Sequence, residues 1–429
     1  MVRMARNVVI FLFVLVTSSL FAPPIEEQEL ITSNSWVQTT FDSLTVDERI
    51  AQLFMIEVRP TYGSKHLYNV EQTIKKHQVG GVIFFKGNPT QQVELTNKFQ
   101  QLSKTKMLVA IDGEWGLAMR LSNTIAYPYQ LGLGSIQNNE IIYEMGKEVG
   151  RQCKRLGIHV NFAPVIDINN NPNNPVINYR SFGEDPKNVC NKGWAYAKGM
   201  QEAGIIACAK HFPGHGDTDV DSHKDLPVIN HSMERLRSVE FVPFKHLIEQ
   251  GVMSVMTAHL SIPAIDNRPN IAVSISDKAI NGILRREMGF TGLSFTDALN
   301  MQGVAKYHPD GELELMALTA GNDILLSPGD IPKATNLIKN AMASGKLSKD
   351  YVWGKVKKIL NYKHAVGLHN WEEIDERNVE KDLNSTQAKH VYYDLVEQEL
   401  CLAKDNKQLV PVEQNFQQNV LWIAWGKGD

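Results

Sequence analysis

The chain has 429 residues, 43% hydrophobic and 21% charged, with a formal net charge of −3. That balance argues against nucleic acid or an anionic membrane surface as the main partner, and the length suits one large α/β domain plus a remainder. Four cysteines, Cys153, Cys190, Cys208 and Cys401, lie far apart without paired spacing; they read as apolar packing residues, not as a disulfide framework or a zinc site.

In chain order, residues 1–22 read first as an export signal. Arg3 and Arg6 precede the apolar run Val8 to Val16, and the small residues Thr17, Ser18 and Ser19 follow it. The run is short for a bilayer span, which needs about 20 residues. The expectation is an exported, periplasmic protein with no stable membrane insertion after signal cleavage. Residues 30–370 then alternate short apolar runs with helix-period segments. Strands are predicted at Leu53 to Glu57, Gly81 to Phe85, Met107 to Ile111, Ile158 to Phe162, Ile205 to Ala209, Ser254 to Thr257, Leu293 to Phe295 and Asp323 to Leu326. Helical periodicity between them includes Gln91 to Leu102, Glu140 to Leu156, Asn188 to Ala203 and Lys349 to Val366. Eight strand–helix units point to a (β/α)8 TIM barrel, with an open doubly wound sheet as the alternative. Polar placement favours the barrel. Asp112, His211, His259 and Asp297 fall just past the C-terminal ends of different strands, where barrel active sites form, and Asp323 lies near another strand end. Residues 371–402 read as a linker and helix. Residues 403–429, with the apolar run Val420 to Trp425, read as the beginning of an incomplete second α/β domain, which implies a missing C-terminal domain in cis.

The densest chemistry follows the fifth strand. Lys210-His211-Phe212-Pro213-Gly214-His215-Gly216-Asp217-Thr218, continuing to Asp221-Ser222-His223, places three histidines and three aspartates just beyond an apolar run. Buried charge is costly unless it is paired or used. A metal site is one reading of these residue types. The glycines and crowded aspartates instead make the segment a loop, without a His-Glu-x-x-His helix, and no metal or cofactor is expected. Asp221 and His223 form the expected acid/base pair: a His titrates near neutrality and a carboxylate can orient it. His215 and Asp217 are expected to hold the loop's shape. On another strand, Gly292-Leu293-Ser294-Phe295-Thr296-Asp297 ends in a lone acid, fit to be the nucleophile facing that pair in double-displacement glycoside cleavage.

These segments together resemble family 3 glycoside hydrolases of bacteria, of the β-N-acetylglucosaminidase type, from about Leu44 to Gly367. Besides the histidine-rich segment, the resemblance rests on Asp112-x-Glu114-x-Gly116 with Arg120, on Asn161-Phe162-Ala163-Pro164-Val165-x-Asp167, and on Arg180-Ser181-Phe182-Gly183-x-Asp185-Pro186. Met256-Thr257-Ala258-His259 and Phe295-Thr296-Asp297-Ala298-Leu299-x-Met301 complete it. The resemblance implies a retaining mechanism with Asp297 as nucleophile and Asp221/His223 as acid/base, and terminal-sugar binding by Asp112, Arg120, Arg180, Lys210 and His211. Two positions depart from the family's pattern: Trp115 replaces a common glycine, and Thr296 an often-found serine. The expected function is an exported exo-β-N-acetylglucosaminidase acting on a carbohydrate partner, terminal N-acetylglucosamine of peptidoglycan fragments. The alternatives are a phosphorylase, a chitooligosaccharide-specific hexosaminidase, or a non-catalytic sugar-binding module.

Overall fold

A computed structural model describes residues 34–222 and 224–401. The expected export signal, His223 and the expected second-domain strand lie outside the described residues. Eight strands form one parallel sheet: β1 (Phe54–Val58), β2 (Gly81–Phe84), β3 (Leu108–Ile111), β4 (Val160–Asn161), β5 (Ile206–Phe212), β6 (Ser254–Thr257), β7 (Leu293–Thr296) and β8 (Leu325–Leu326). Pairing follows chain order from β1 to β7, and β8 returns to pair with β1 through Phe54–Leu325 and Met55–Leu326. The last seam, between β7 and β8, closes at a Phe295–Ile324 bridge. There the Thr296 N–H donates to the Ile324 carbonyl at 3.0 Å, and Thr296 Oγ1 accepts from the Leu326 N–H at 2.9 Å. The sheet is therefore a closed (β/α)8 barrel and not the open alternative. The Thr296 hydroxyl serves the barrel wall.

The strands are apolar runs without alternation because both faces are covered, one by the barrel interior and one by the helices. Several helices start on side-chain caps that the sequence supplies. Asn138 caps Asn139–Arg155, Asp185 with Pro186 opens Pro186–Glu202, and Ser348 caps Lys349–Ala365. Residues 371–401 strap the outside of the barrel. Val379–Leu383 and Thr386–Glu399 lie against Asn139–Arg155 and bury Leu383, Val391 and Leu395, while Arg155 grips Asp382 at 2.9 Å. Among the described residues no helix is long and apolar enough to cross a membrane.

Asp323 lies at the entry of β8, on the face opposite the catalytic mouth of a barrel. Its carboxylate meets Arg285 Nη2 at 2.7 Å, Lys355 Nζ at 2.9 Å and Lys358 Nζ at 3.0 Å, and accepts the Ser294 N–H at 3.0 Å. Burial would raise its pKa, but the lysines and the arginine outweigh that and hold it well below the carboxylate range. This is a structural knot that ties β7, β8 and the Lys349–Ala365 helix together. Asp323→Ala leaves three cations without their shared anion and is expected to cost about 3–5 kcal/mol of stability. Because the folded pKa is depressed, this contribution is present above the unfolded value near 3.8 and fades as acid titrates the folded group. Urea denaturation at neutral pH checks it, and an unchanged midpoint would contradict it.

Candidate active site

The mouth of the barrel is floored by a buried ion network that joins β3, β5 and the loop after β4. Beyond β3 the chain turns through Asp112-Gly113-Glu114, so both carboxylates face inward. Lys210, on β5, bridges them, with Nζ 2.9 Å from Asp112 Oδ1 and 2.8 Å from Glu114 Oε1. Arg120 reaches Asp112 Oδ2 at 2.5 Å. Arg180 clamps Glu114 with two bonds, 2.9 Å from Nε and 2.7 Å from Nη2. Burial pushes both carboxyls up, but Lys210 and the arginines prevail: Asp112 sits well below the carboxylate range and Glu114 falls to about 2. For Lys210, burial acts downward and the two carboxylates reverse it, raising its pKa, so the ammonium is retained.

The predicted fifth strand stops at Ala209, yet β5 continues through Lys210-His211-Phe212. Polar residues in a strand read as its end unless partners on neighbouring elements satisfy them, and here they do. The pairing with β6 shifts register between Ala209 and Phe212, an irregularity that re-aims side chains next to functional sites. His211 turns Nδ1 to Asp167 at 2.7 Å and Nε2 towards Arg180 at 3.4 Å. Asp167 is fully buried and also accepts the N–H groups of His211 and His215, at 3.1 Å and 2.7 Å. Burial acts to raise the Asp167 pKa, but His211 and these donors lower it overall.

Asp167 thus anchors the loop that follows β5. Asn174 latches the same loop by donating to the carbonyls of His215 and Gly216, at 2.8 and 2.9 Å. Gly216 is required by close approach, since a Cβ there would lie 1.6 Å from the Ile168 carbonyl oxygen, and Gly214 adopts a φ of +133°. His215 is buried against Thr218 at 2.9 Å and Ser222 at 3.2 Å, and burial lowers its pKa to about 4. Asp217 pairs with His231 at 2.7 Å. Among the described residues no three His, Cys, Asp or Glu side chains converge as a metal site. Asp221 is half-buried, and its carbonyl caps a turn by accepting the N–H groups of Lys224 and Asp225.

Asp297 follows β7 and lines the same cavity of about 190 Å³ as Asp112, Arg120, Arg180, Lys210 and His211. The structure therefore gathers six of the eight predicted site residues around one space. Asp221 stands in the loop beside cavity-lining Ser222, and His223 lies outside the described residues. The Asp297 N–H donates to Thr257 and its Oδ1 accepts the Ala298 N–H at 2.8 Å. His259, buried after β6, donates from Nε2 to the Ala298 carbonyl at 3.0 Å while Nδ1 meets Ser274. It supports the turn that carries Asp297 and does not itself line the cavity. Sequence reasoning missed Glu57, Arg59 and Asn300. Glu57, at the end of β1, accepts from Arg59 at 2.7 Å, Ser327 at 2.8 Å and Asn300 at 3.0 Å. Its signal, a lone acid closing an apolar strand, is the one that exposes Asp297.

Residues 45–362 match the Glycosyl hydrolase family 3 N terminal domain. The chain belongs to glycosyl hydrolase family 3. This family 3 chain is 32% identical over 326 residues to beta-hexosaminidase A of Pseudoalteromonas piscicida, covering 68% of this chain and 54% of that protein. It is 34% identical over 258 residues to a beta-hexosaminidase of Thiobacillus denitrificans, covering 58% and 71%. It superposes on a glycoside hydrolase family 3 beta-N-acetylglucosaminidase from Paenibacillus with a TM-score of 0.75 and 32% identity, covering 83% of this chain and 69% of that one. The chain thus spans about half the length of the Pseudoalteromonas protein.

Asp167 is the joint between floor and loop in this family 3 barrel. Asp167→Asn turns one acceptor oxygen into a donor facing donors, so stability should fall by about 1–3 kcal/mol. Amide hydrogen exchange at His211 and His215 should accelerate relative to the strands. Unchanged protection at both amides would show that the loop is held by other contacts.

Proposed function

We propose that this chain carries the catalytic barrel of an exported, retaining exo-β-N-acetylglucosaminidase that removes terminal β-linked N-acetylglucosamine from peptidoglycan fragments. The observation that carries the reading is the placement of Asp297 on the same small cavity as the Asp112–Lys210–Glu114–Arg180 floor, in a chain whose relatives are named beta-hexosaminidases. Exo action is the mode that the resemblance to family 3 β-N-acetylglucosaminidases implies. The peptidoglycan substrate rests on the family resemblance together with the N-terminal export pattern, and the periplasmic location on that pattern.

In this mechanism the charged floor donates hydrogen bonds to the hydroxyls of the terminal ring, with Lys210, Arg120 and Arg180 as charge-assisted donors and Asp112 as acceptor. Held there, the ring presents its anomeric carbon to Asp297. The carboxylate attacks as the glycosidic bond breaks, and His223 protonates the departing oxygen. The resulting ester is cleaved by water, which gives its proton back to His223. Asp221 orients the imidazole and stabilises its protonated form. Two inversions at one carbon retain its configuration.

Asp297→Ala should abolish turnover of an N-acetylglucosaminide with the fold intact by circular dichroism. The first product of the wild-type protein, followed by NMR, should be the β-anomer. An α-anomer would overturn the role of Asp297, and release of sugar 1-phosphate in phosphate buffer would make the protein a phosphorylase.

Replacing His223 tests the acid/base step separately. His223→Ala should slow substrates with poor leaving groups by about 10²–10⁴-fold and activated aryl glycosides far less. Equal losses on both would assign His223 to binding or loop structure.

A further inference from the structure

The proposed acid/base residues, Asp221 and His223, belong to the loop after β5, whereas Asp297 follows β7. Contacts between these two segments therefore set how far the acid stands from the nucleophile. The Asp221 carbonyl accepts the N–H groups of Lys224 and Asp225, at 2.9 and 3.1 Å, which closes residues 221–225 into a turn. On one side Ser222 Oγ meets His215 Nε2 at 3.2 Å, fixing the turn to the start of its own loop. On the other side Asp225 reaches across to the segment that follows Asp297.

That crossing has two parts. Asp225 Oδ1 gathers three donors: Lys306 Nζ at 2.6 Å, the Tyr307 hydroxyl at 2.9 Å and the Leu226 N–H at 2.7 Å. Lys306 above all, then the Leu226 N–H and Tyr307, hold the Asp225 pKa down at about 2, so the carboxylate stays charged around neutral pH. Beside this cluster the two backbones touch. Gly303 is buried, and a Cβ there would lie 2.7 Å from the Ser222 carbonyl oxygen and 3.1 Å from that of Asp225. Gly303, Lys306 and Tyr307 are in turn fixed relative to Asp297. The Met301 N–H donates to the Ala298 carbonyl at 3.0 Å, Val304 to Met301 at 3.1 Å and Tyr307 to Val304 at 3.0 Å, an unbroken run of turns from the nucleophile to the partners of Asp225.

A half-exposed ion pair adds little to stability by itself, so the role of this one is geometric. We propose that Asp225, Gly303, Lys306 and Tyr307 form a clasp that holds the acid/base turn against the nucleophile's segment, which makes Asp225 and Lys306 positioning residues for protonation of the leaving group. Acid and nucleophile must flank one glycosidic bond at a set separation, and a misplacement of about 1 Å can cost about 100-fold in rate. The inference rests on the glycosidase reading for the step it serves, and its test separates the two.

The test compares kcat/KM for N,N′-diacetylchitobiose, whose leaving sugar needs protonation, with that for a 2,4-dinitrophenyl N-acetylglucosaminide, whose leaving group needs little. In Asp225→Ala, Lys306→Met and Gly303→Val the ratio of the first to the second should fall about ten-fold or more, and Lys306→Arg should preserve it. A general loosening of the fold would lower both substrates together and leave the ratio unchanged. Asp225→Ala combined with Lys306→Met should be no worse than the poorer single variant, as expected of two groups that act through one contact. Hydrogen exchange reads the clasp without turnover, and the peptide spanning residues 217–231 should exchange faster in Lys306→Met than in the wild type. If the wild type turns over neither substrate, the glycosidase reading fails while exchange still decides the clasp. An unchanged ratio in Asp225→Ala and Lys306→Met, or unchanged exchange in that peptide, would overturn the inference.

Discussion

The barrel mouth depends on the burial of charge. Asp112, Glu114 and Asp167 supply three buried carboxylates, met by buried Lys210 and by the partly exposed Arg120 and Arg180 at the cavity. Burying such groups singly would cost several kcal/mol each, and pairing repays it only where geometry is tight and the remaining donors are satisfied. Lys210 is the keystone because it touches two carboxylates that arise two residues apart beyond β3. Its position on β5 leaves β4 between the two strands, so the network also pins the mouth across three neighbours of the barrel. A hydroxyl-rich ring entering this space meets donors and acceptors already fixed in place, which is the condition under which polar groups orient a ligand without reorganising.

The same network fixes what surrounds it. Through His211 it passes to Asp167, and from Asp167 to the backbone of the loop that leads to Asp221. The opposite wall is built on a different principle. Asp297 stands on a turn braced by backbone bonds and by His259, in a region where β7 joins β8 through only a short seam. The proposed division of labour follows the construction: a rigid ionic floor to hold the sugar, and a separately braced carboxylate to react with it.

Much of this was legible in the sequence because apolar runs and capping residues are local signals. All eight strands fall within a few residues of their predicted places, and the polar residues just beyond strands three, five and seven do gather at one mouth. What was illegible depends on partners distant in the chain. The end of β5 could not be placed, since Lys210 and His211 are tolerated in a strand only because Asp112, Glu114 and Asp167 await them. Asp323 looked like another strand-end acid, and only its three cationic partners, 32 to 38 residues away, assign it to the opposite face. Glu57 carries the same signal as Asp297 yet reads as strand, because one acid at the end of an apolar run does not reveal whether it faces a cavity.

The account stands or falls on whether Asp297 becomes covalently attached to sugar. Incubation with a 5-fluoro N-acetylglucosaminyl fluoride, which slows breakdown of a glycosyl ester, followed by intact-mass and peptide mass spectrometry, reads this directly. The account predicts one glycosyl adduct per chain, located on the peptide containing Asp297. Turnover of substrate with no adduct, or an adduct on any other residue, would contradict it.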